Sequence, residues 1–103
     1  MPAVEMMTKL NPKSIRSWLS VRSGWKRGSN KLTKHFQFAN FRNAIVFVNR
    51  VATLADTHKH HPEIGVRGDT VILSLCTHDA GGITEKDLRL AEQIDFATSF
   101  GKS

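Results

Sequence analysis

The chain has 103 residues, 40% of them apolar, enough for one small domain spanning 1–103 with a single core and too few for a second. Its longest unbroken apolar stretch, Ala44–Val48, is far short of the ~20 residues of a bilayer-spanning helix, and no apolar signal-peptide core opens the chain. A soluble, cytoplasmic protein is therefore expected, and its net charge of +6 is uneven: residues 1–50 carry ten Lys or Arg against Glu5 alone, residues 51–103 five against eight Asp or Glu.

Residues 1–10 lack a clear period and are expected to form a loose lead-in. Asn11-Pro12 then offers an N-cap followed by proline at the first helical position, and Ile15, Trp18 and Leu19 recur at helical spacing. A helix to about Val21 is predicted, closed near Gly24. Trp25–Arg27 and Lys31–Ala39 flank Gly28-Ser29-Asn30, and Phe36 and Phe38 alternate with His35 and Gln37, which predicts a β-hairpin. Asn40 can cap a long helix in which Phe41, Ala44, Ile45, Val48, Val51, Ala52 and Ala55 fall on one arc. Phe47 and Leu54 widen that stripe and Val46 lies roughly opposite, more apolar surface than one core contact needs, so self-association is expected.

Pro62 ends that helix after His60-His61, because proline lacks a backbone donor and restricts the residue before it. Ile64–Val66 and Thr70–Thr77 read as strands around Arg67-Gly68-Asp69, with Val71, Leu73 and Leu75 alternating toward one face. Thr84 opens a last helix lined by Leu88, Ala91 and Ile94, and Asp87 suits its positive end. The order α-β-β-α-β-β-α predicts an α+β fold: a four-stranded antiparallel sheet with three helices packed on one face.

Three of the five histidines, His60, His61 and His78, stand where the chain changes direction. Imidazole titrates near neutrality, so such a cluster can give and take protons in one turnover. Asp56, one helical turn before His60, can hold an imidazole in a fixed tautomer. Five histidines and Cys76 could in principle ligate zinc, but no CxxC or HExxH spacing is present and no metal site is expected. A single cysteine forms no internal disulfide and lies within a strand pattern, where a small structural residue is the simpler reading. No basic run is contiguous and no nucleic-acid module is present, so the Lys and Arg residues read as a solvated surface rather than a nucleic-acid site.

Phe36-x-Phe38-x-x-Phe41, Asp56-x-x-x-His60-His61-Pro62-Glu63 and Thr77-His78-Asp79-x-Gly81-Gly82-x-Thr84-x-x-Asp87 together resemble the pterin-4a-carbinolamine dehydratase family, from about Gly24 to Asp95. The resemblance implies the same α+β fold, a homodimer or homotetramer, and a hydro-lyase acting in tetrahydrobiopterin recycling beside an aromatic amino acid hydroxylase. The implied reaction dehydrates 4a-hydroxytetrahydrobiopterin to quinonoid dihydropterin by histidine acid–base chemistry, with pterin as substrate and no cofactor or metal.

By the same resemblance His60, His61, His78 and Asp87 are the catalytic residues, with His61 at the departing hydroxyl and His60 in the complementary transfer or binding. Asp56, Pro62, Glu63 and Thr77 are implied to bind or orient substrate. The family usually carries an aromatic residue ten positions before the later histidine, where this chain has Gly68; its absence is expected to weaken a wall beside the pocket. Some relatives of this fold are non-catalytic, serving as assembly factors or transcriptional dimerisation cofactors, and a binding role of that kind is the alternative expectation.

Overall fold

Asn11 caps the first helix as its sequence demands. In a computed structural model, which describes residues 8–101 and side chains through Thr98, the Asn11 side chain accepts from the Ser14 N–H at 2.8 Å. Proline follows at the first helical position, and helix α1 spans Pro12–Ser20. The segment 1–7 of the expected loose lead-in lies outside the described residues. Leu10 is not loose: its N–H donates to the Ile83 carbonyl at 2.9 Å and its side chain packs on the core.

Strand β1 (Lys26–Gly28) and strand β2 (Lys31–Gln37) pair across a two-residue loop, with Ser29 at φ 57. The second strand stops two residues before the predicted Ala39, and Trp25 lies outside β1 as a buried core residue. The Trp25 indole N–H donates to Asp95 Oδ2 and the Trp18 indole to Glu92 Oε2, both at 2.9 Å, which ties the α1 region to the last helix.

Helix α2 (Phe41–His58) starts at Asn40, whose side chain accepts from the Asn43 N–H at 2.8 Å. Its buried stripe is Ala44, Phe47, Val51 and Ala55, rotated from the predicted arc. Phe47 sits at the centre of the contact, its ring 4.8 Å from Phe36 and 4.9 Å from Phe38, while Phe41 and Ala52 face outward. The rotation follows from the two aromatic rings that β2 presents, a surface that a large side chain fills better than the small Ala52.

Strand β3 (Glu63–Arg67) and strand β4 (Thr70–Leu75) form the second hairpin. The sheet order is β1-β2-β4-β3, all neighbours antiparallel. Leu32 and Phe36 on β2 and Val71, Leu73 and Leu75 on β4 bury one face against the helices. Thr77, predicted to end β4, forms instead an isolated bridge with Gly82, which closes a loop containing a 3₁₀ turn at His78–Ala80. Helix α3 (Glu85–Gly101) closes the core with Leu88, Leu90, Ala91 and Ile94. The α+β arrangement with helices on one face of a four-stranded antiparallel sheet is thus observed. Among the described residues no helix is long and apolar enough to cross a membrane.

Candidate active site

The end of α2 decides which histidine goes where. Lys59 takes the left-handed conformation (φ 52), its N–H bonds to the Asp56 carbonyl, and the His60 N–H reaches back to the Ala55 carbonyl at 3.0 Å. This is the hydrogen-bond pattern of a Schellman stop. The chain therefore leaves the helix before His60, and the helical spacing that would have set Asp56 beside His60 no longer applies. Asp56 pairs instead with His61, Oδ1 to Nε2 at 3.3 Å, and His60 swings to Asp87.

Helix α3 begins from the other side. The Thr84 N–H donates to Asp87 Oδ2 at 2.9 Å, and Thr84 Oγ1 accepts from the Lys86 N–H at 3.2 Å, a reciprocal capping arrangement. The Thr77 hydroxyl adds a second donor to the same Asp87 oxygen at 2.9 Å, and Thr77 and Thr84 hydroxyls meet at 2.8 Å. Asp87 is wholly buried, and its remaining oxygen, Oδ1, meets His60 Nε2 at 2.5 Å. A buried carboxylate needs such partners, since an unpaired charge in the interior is costly.

The two neighbouring histidines thus have unlike surroundings. The His60 side chain is 11% exposed and locked to a buried group; that of His61 is 73% exposed and paired only with the exposed Asp56. A cleft of about 340 Å³ lies over them, lined by Lys59, His60, His61, Cys76, Thr77, His78, Asp79 and Lys86. His78 is exposed in the 3₁₀ turn, and its Nε2 stands 4.0 Å from the Cys76 sulfur. Burial pushes the Cys76 thiol above its ordinary pKa, and the Asp87 carboxylate adds to the rise. Four lining residues, Lys59, Cys76, Asp79 and Lys86, were not singled out from sequence, because nothing in their spacing marks them.

The structure brings His60, His61, His78, Thr77 and Asp87 together, with Asp56 behind His61. Glu63 stands apart, at the start of β3, where it accepts from Lys31 Nζ at 2.9 Å. Pro62 lies in the link between α2 and β3, half-buried, and is not among the residues lining the cleft. Gly68 corrects the expected missing wall. It occupies the tip of the β3–β4 hairpin at φ 61, one five-residue strand away from the histidines, about 16 Å of extended chain. A side chain there would find open space and a strained backbone, so an aromatic at this position does not wall this chain's own cleft.

Among the described residues no three His, Cys, Asp or Glu side chains converge in a way that could hold a metal ion. A larger hollow of about 730 Å³ between the α1–β1 loop, β2 and α3 contains none of these candidate residues; Lys34 and Asp95 pair on its wall at 2.8 Å.

The arrangement has counterparts among known proteins. The family model described as pterin 4 alpha carbinolamine dehydratase matches residues 8–97. A protein of Roseiflexus sp. provisionally named a pterin-4-alpha-carbinolamine dehydratase is 49% identical over 90 residues, covering 87% of this chain and 97% of the relative. One of Thermomicrobium roseum, named in the same way, is 47% identical over 88 residues, 85% of this chain and 95% of the relative. The crystal structure of a transcriptional coactivator/pterin dehydratase from Brucella melitensis superposes with a TM-score of 0.82 at 28% identity, over 86% of this chain and 97% of that one. A pterin dehydratase-like protein identified as a RuBisCO assembly factor in the alpha-carboxysome shares the fold, with a TM-score of 0.60 at 22% identity over 77% of this chain and 89% of that one.

Proposed function

This chain belongs to the pterin-4-alpha-carbinolamine dehydratase family, and we propose that it dehydrates a 4a-hydroxytetrahydropterin to the quinonoid dihydropterin by histidine acid–base catalysis. The observation that carries this reading is the pairing of His60 with the wholly buried Asp87 at the floor of a cleft that also holds His61 and His78. A ring fixed in this way is prepared for proton transfer without reorganisation at the moment of reaction.

The chemistry is a redox-neutral elimination. The C4a–O bond breaks and the hydroxyl leaves as water after receiving a proton; N5 gives up its proton and C4a=N5 forms. His61, whose Asp56 partner favours its protonated form, is assigned to the departing hydroxyl. His60 takes the N5 proton, and His78 across the cleft positions the pterin. Each transfer by a positioned group is worth about 10²–10⁴-fold. Thr77 orients from beneath through Asp87, and no metal or redox cofactor enters the atom balance.

The protein is further proposed to work as a cytoplasmic homodimer or homotetramer, serving a pathway in which an aromatic amino acid hydroxylase supplies the carbinolamine. The exposed Phe41 and Val46 on α2 support self-association. The decisive test is a rapid-mixing assay of dehydration with purified protein. A rate above the spontaneous reaction that falls in a His60→Ala variant is the expected result; no rate above background would sink the enzyme reading and leave a non-catalytic binding role in its place.

A further inference from the structure

We infer that Thr84, which touches no residue of the cleft other than through Thr77 and Asp87, is a positioning residue that sets which nitrogen of His60 acts as the base. The inference rests on the dehydratase reading for its kinetic part and on hydrogen-bond counting for its structural part. A hydroxyl has one proton to donate. The Thr77 proton goes to Asp87 Oδ2, so at the 2.8 Å contact with Thr84 the Thr77 oxygen accepts, and the Thr84 hydroxyl is the donor. The Thr84 oxygen in turn accepts from the Lys86 N–H. Every bond then runs in one direction: Lys86 N–H to Thr84, Thr84 to Thr77, Thr77 to Asp87.

That direction makes Asp87 an acceptor at Oδ2 twice over, from the Thr77 hydroxyl and the Thr84 N–H. Both donors favour the ionised carboxylate, which has no proton to offer. Its Oδ1 must then accept from His60, so the His60 proton lies on Nε2. Nδ1, which no protein group engages among the described residues, is left as the basic atom. The proton leaving pterin N5 is accordingly received at Nδ1, and the imidazolium so formed is stabilised through its Nε2–H by Asp87. Reversing the chain, with Thr77 donating to Thr84, would leave Asp87 short of a donor and free His60 to change tautomer.

Thr84 also caps α3, so a test must separate capping from positioning. Three variants do so. Thr84→Val lacks both cap and hydroxyl; Thr84→Gly lacks the hydroxyl but caps nearly as well, since glycine at an N-cap costs only a few tenths of a kcal/mol; Thr84→Ser keeps both. The first readout needs no substrate: long-range proton–nitrogen spectra of imidazole-labelled protein, which report the tautomer of neutral His60. Expected are an Nε2–H ring in the unmodified and Thr84→Ser proteins and a tautomer mixture in Thr84→Gly and Thr84→Val. The second readout is kcat against KM: kcat should fall about 3- to 10-fold in Thr84→Gly and Thr84→Val, the net worth of one hydrogen bond, with KM unchanged and Thr84→Ser restoring it.

An Nδ1–H ring on His60 in the unmodified protein overturns the inference, whatever the activity. So does an unaltered tautomer in Thr84→Gly, or a loss of kcat that follows thermal stability across the three variants rather than the hydroxyl. If the unmodified protein shows no dehydration, the dehydratase reading fails, and the spectra alone decide the positioning role.

Discussion

Replacing Asp87 by Asn tests the site where its geometry is most constrained. The two side chains have the same shape, so the change removes the charge and turns one acceptor into a donor. Both the Thr77 hydroxyl and the Thr84 N–H point at Oδ2, which obliges the amide oxygen of Asn to take that place. The NH₂ group then faces His60 Nε2, where Oδ1 stood. Two donors cannot face each other across a hydrogen-bond distance, so His60 must move its proton to Nδ1 and lose its base toward the substrate. The corresponding carboxylate-to-amide change in a serine-protease triad, which also imposes the wrong tautomer, costs about 10⁴ in kcat. A single acid or base is worth about 10²–10⁴, and a kcat loss in that range is expected here, with KM little affected. The fold should persist at a cost of about 1–3 kcal/mol, the price of imperfect partners for a buried polar group. For a chain of this size each 1 kcal/mol lowers Tm by about 4–8 °C, a shift that calorimetry reads directly. The assay is rapid mixing at saturating substrate, corrected for spontaneous dehydration. An unchanged kcat in a folded Asp87→Asn protein would refute the reasoning, because it would show that the His60–Asp87 pair does not take part in the chemistry.

The other predictions address separate parts of the molecule. His61→Ala should lower the dehydration rate by about 10²–10⁴-fold and leave the melting temperature nearly unchanged, because its side chain is largely exposed; a His61→Ala rate equal to the unmodified one removes His61 from the reaction. Val46→Glu should shift the protein to a smaller species in analytical ultracentrifugation, since Val46 is an exposed apolar residue on α2, and an unmodified protein that is already monomeric at about 10–100 μM, where specific interfaces of ordinary size associate, contradicts self-association through this helix. Phe47 is unsuited to the same test because it lies in the core. Chelator treatment should change neither fold nor rate; stoichiometric zinc in the purified protein, with activity lost on its removal, would contradict the metal-free mechanism. Cys76 should need a higher pH than a free thiol for half-maximal alkylation, because burial and then Asp87 raise its pKa and a raised pKa means less thiolate at any given pH. In Asp87→Asn that midpoint should move down part of the way, with the effect of burial remaining, and an alkylation profile matching free cysteine would contradict the environment described.

What sequence could and could not disclose follows from the range of the interactions concerned. Asn11, Asn40 and Thr84 announce helix starts because a cap acts within three residues, and all three starts stand where the sequence put them. Val71, Leu73 and Leu75 announce the buried face of β4 because alternation is a local property of a strand. The buried stripe of α2 was less legible: its centre at Phe47 depends on Phe36 and Phe38 arriving from β2, and a helix's own periodicity gives only the breadth of an apolar arc. The Gly68 position misled for a similar reason. Counting ten residues back from His78 gives a place in the chain, but the hairpin folds that place to the far end of β3.

The candidate site shows the same division more sharply, because its two histidine partners were exchanged by one backbone conformation. Helical spacing from Asp56 reaches His60 only if the helix continues through residue 60, and Pro62 alone does not say where it stops. The stop falls at Lys59, whose left-handed φ is usually taken by glycine or asparagine, so the residue type gave no sign of the turn. Such a conformation in a residue with a side chain costs roughly 1 kcal/mol or more, and it persists because the bonds at both ends of the turn over-determine it. Its consequence is chemical. By releasing His60 from the helix it exchanges an exposed partner, Asp56, for a buried one, Asp87, and so converts one of two adjacent, outwardly similar histidines into a fixed base while leaving the other hydrated beside its own carboxylate. Two imidazoles one residue apart can serve opposite proton transfers only if their surroundings differ in this way, and the left-handed turn at Lys59 supplies the difference.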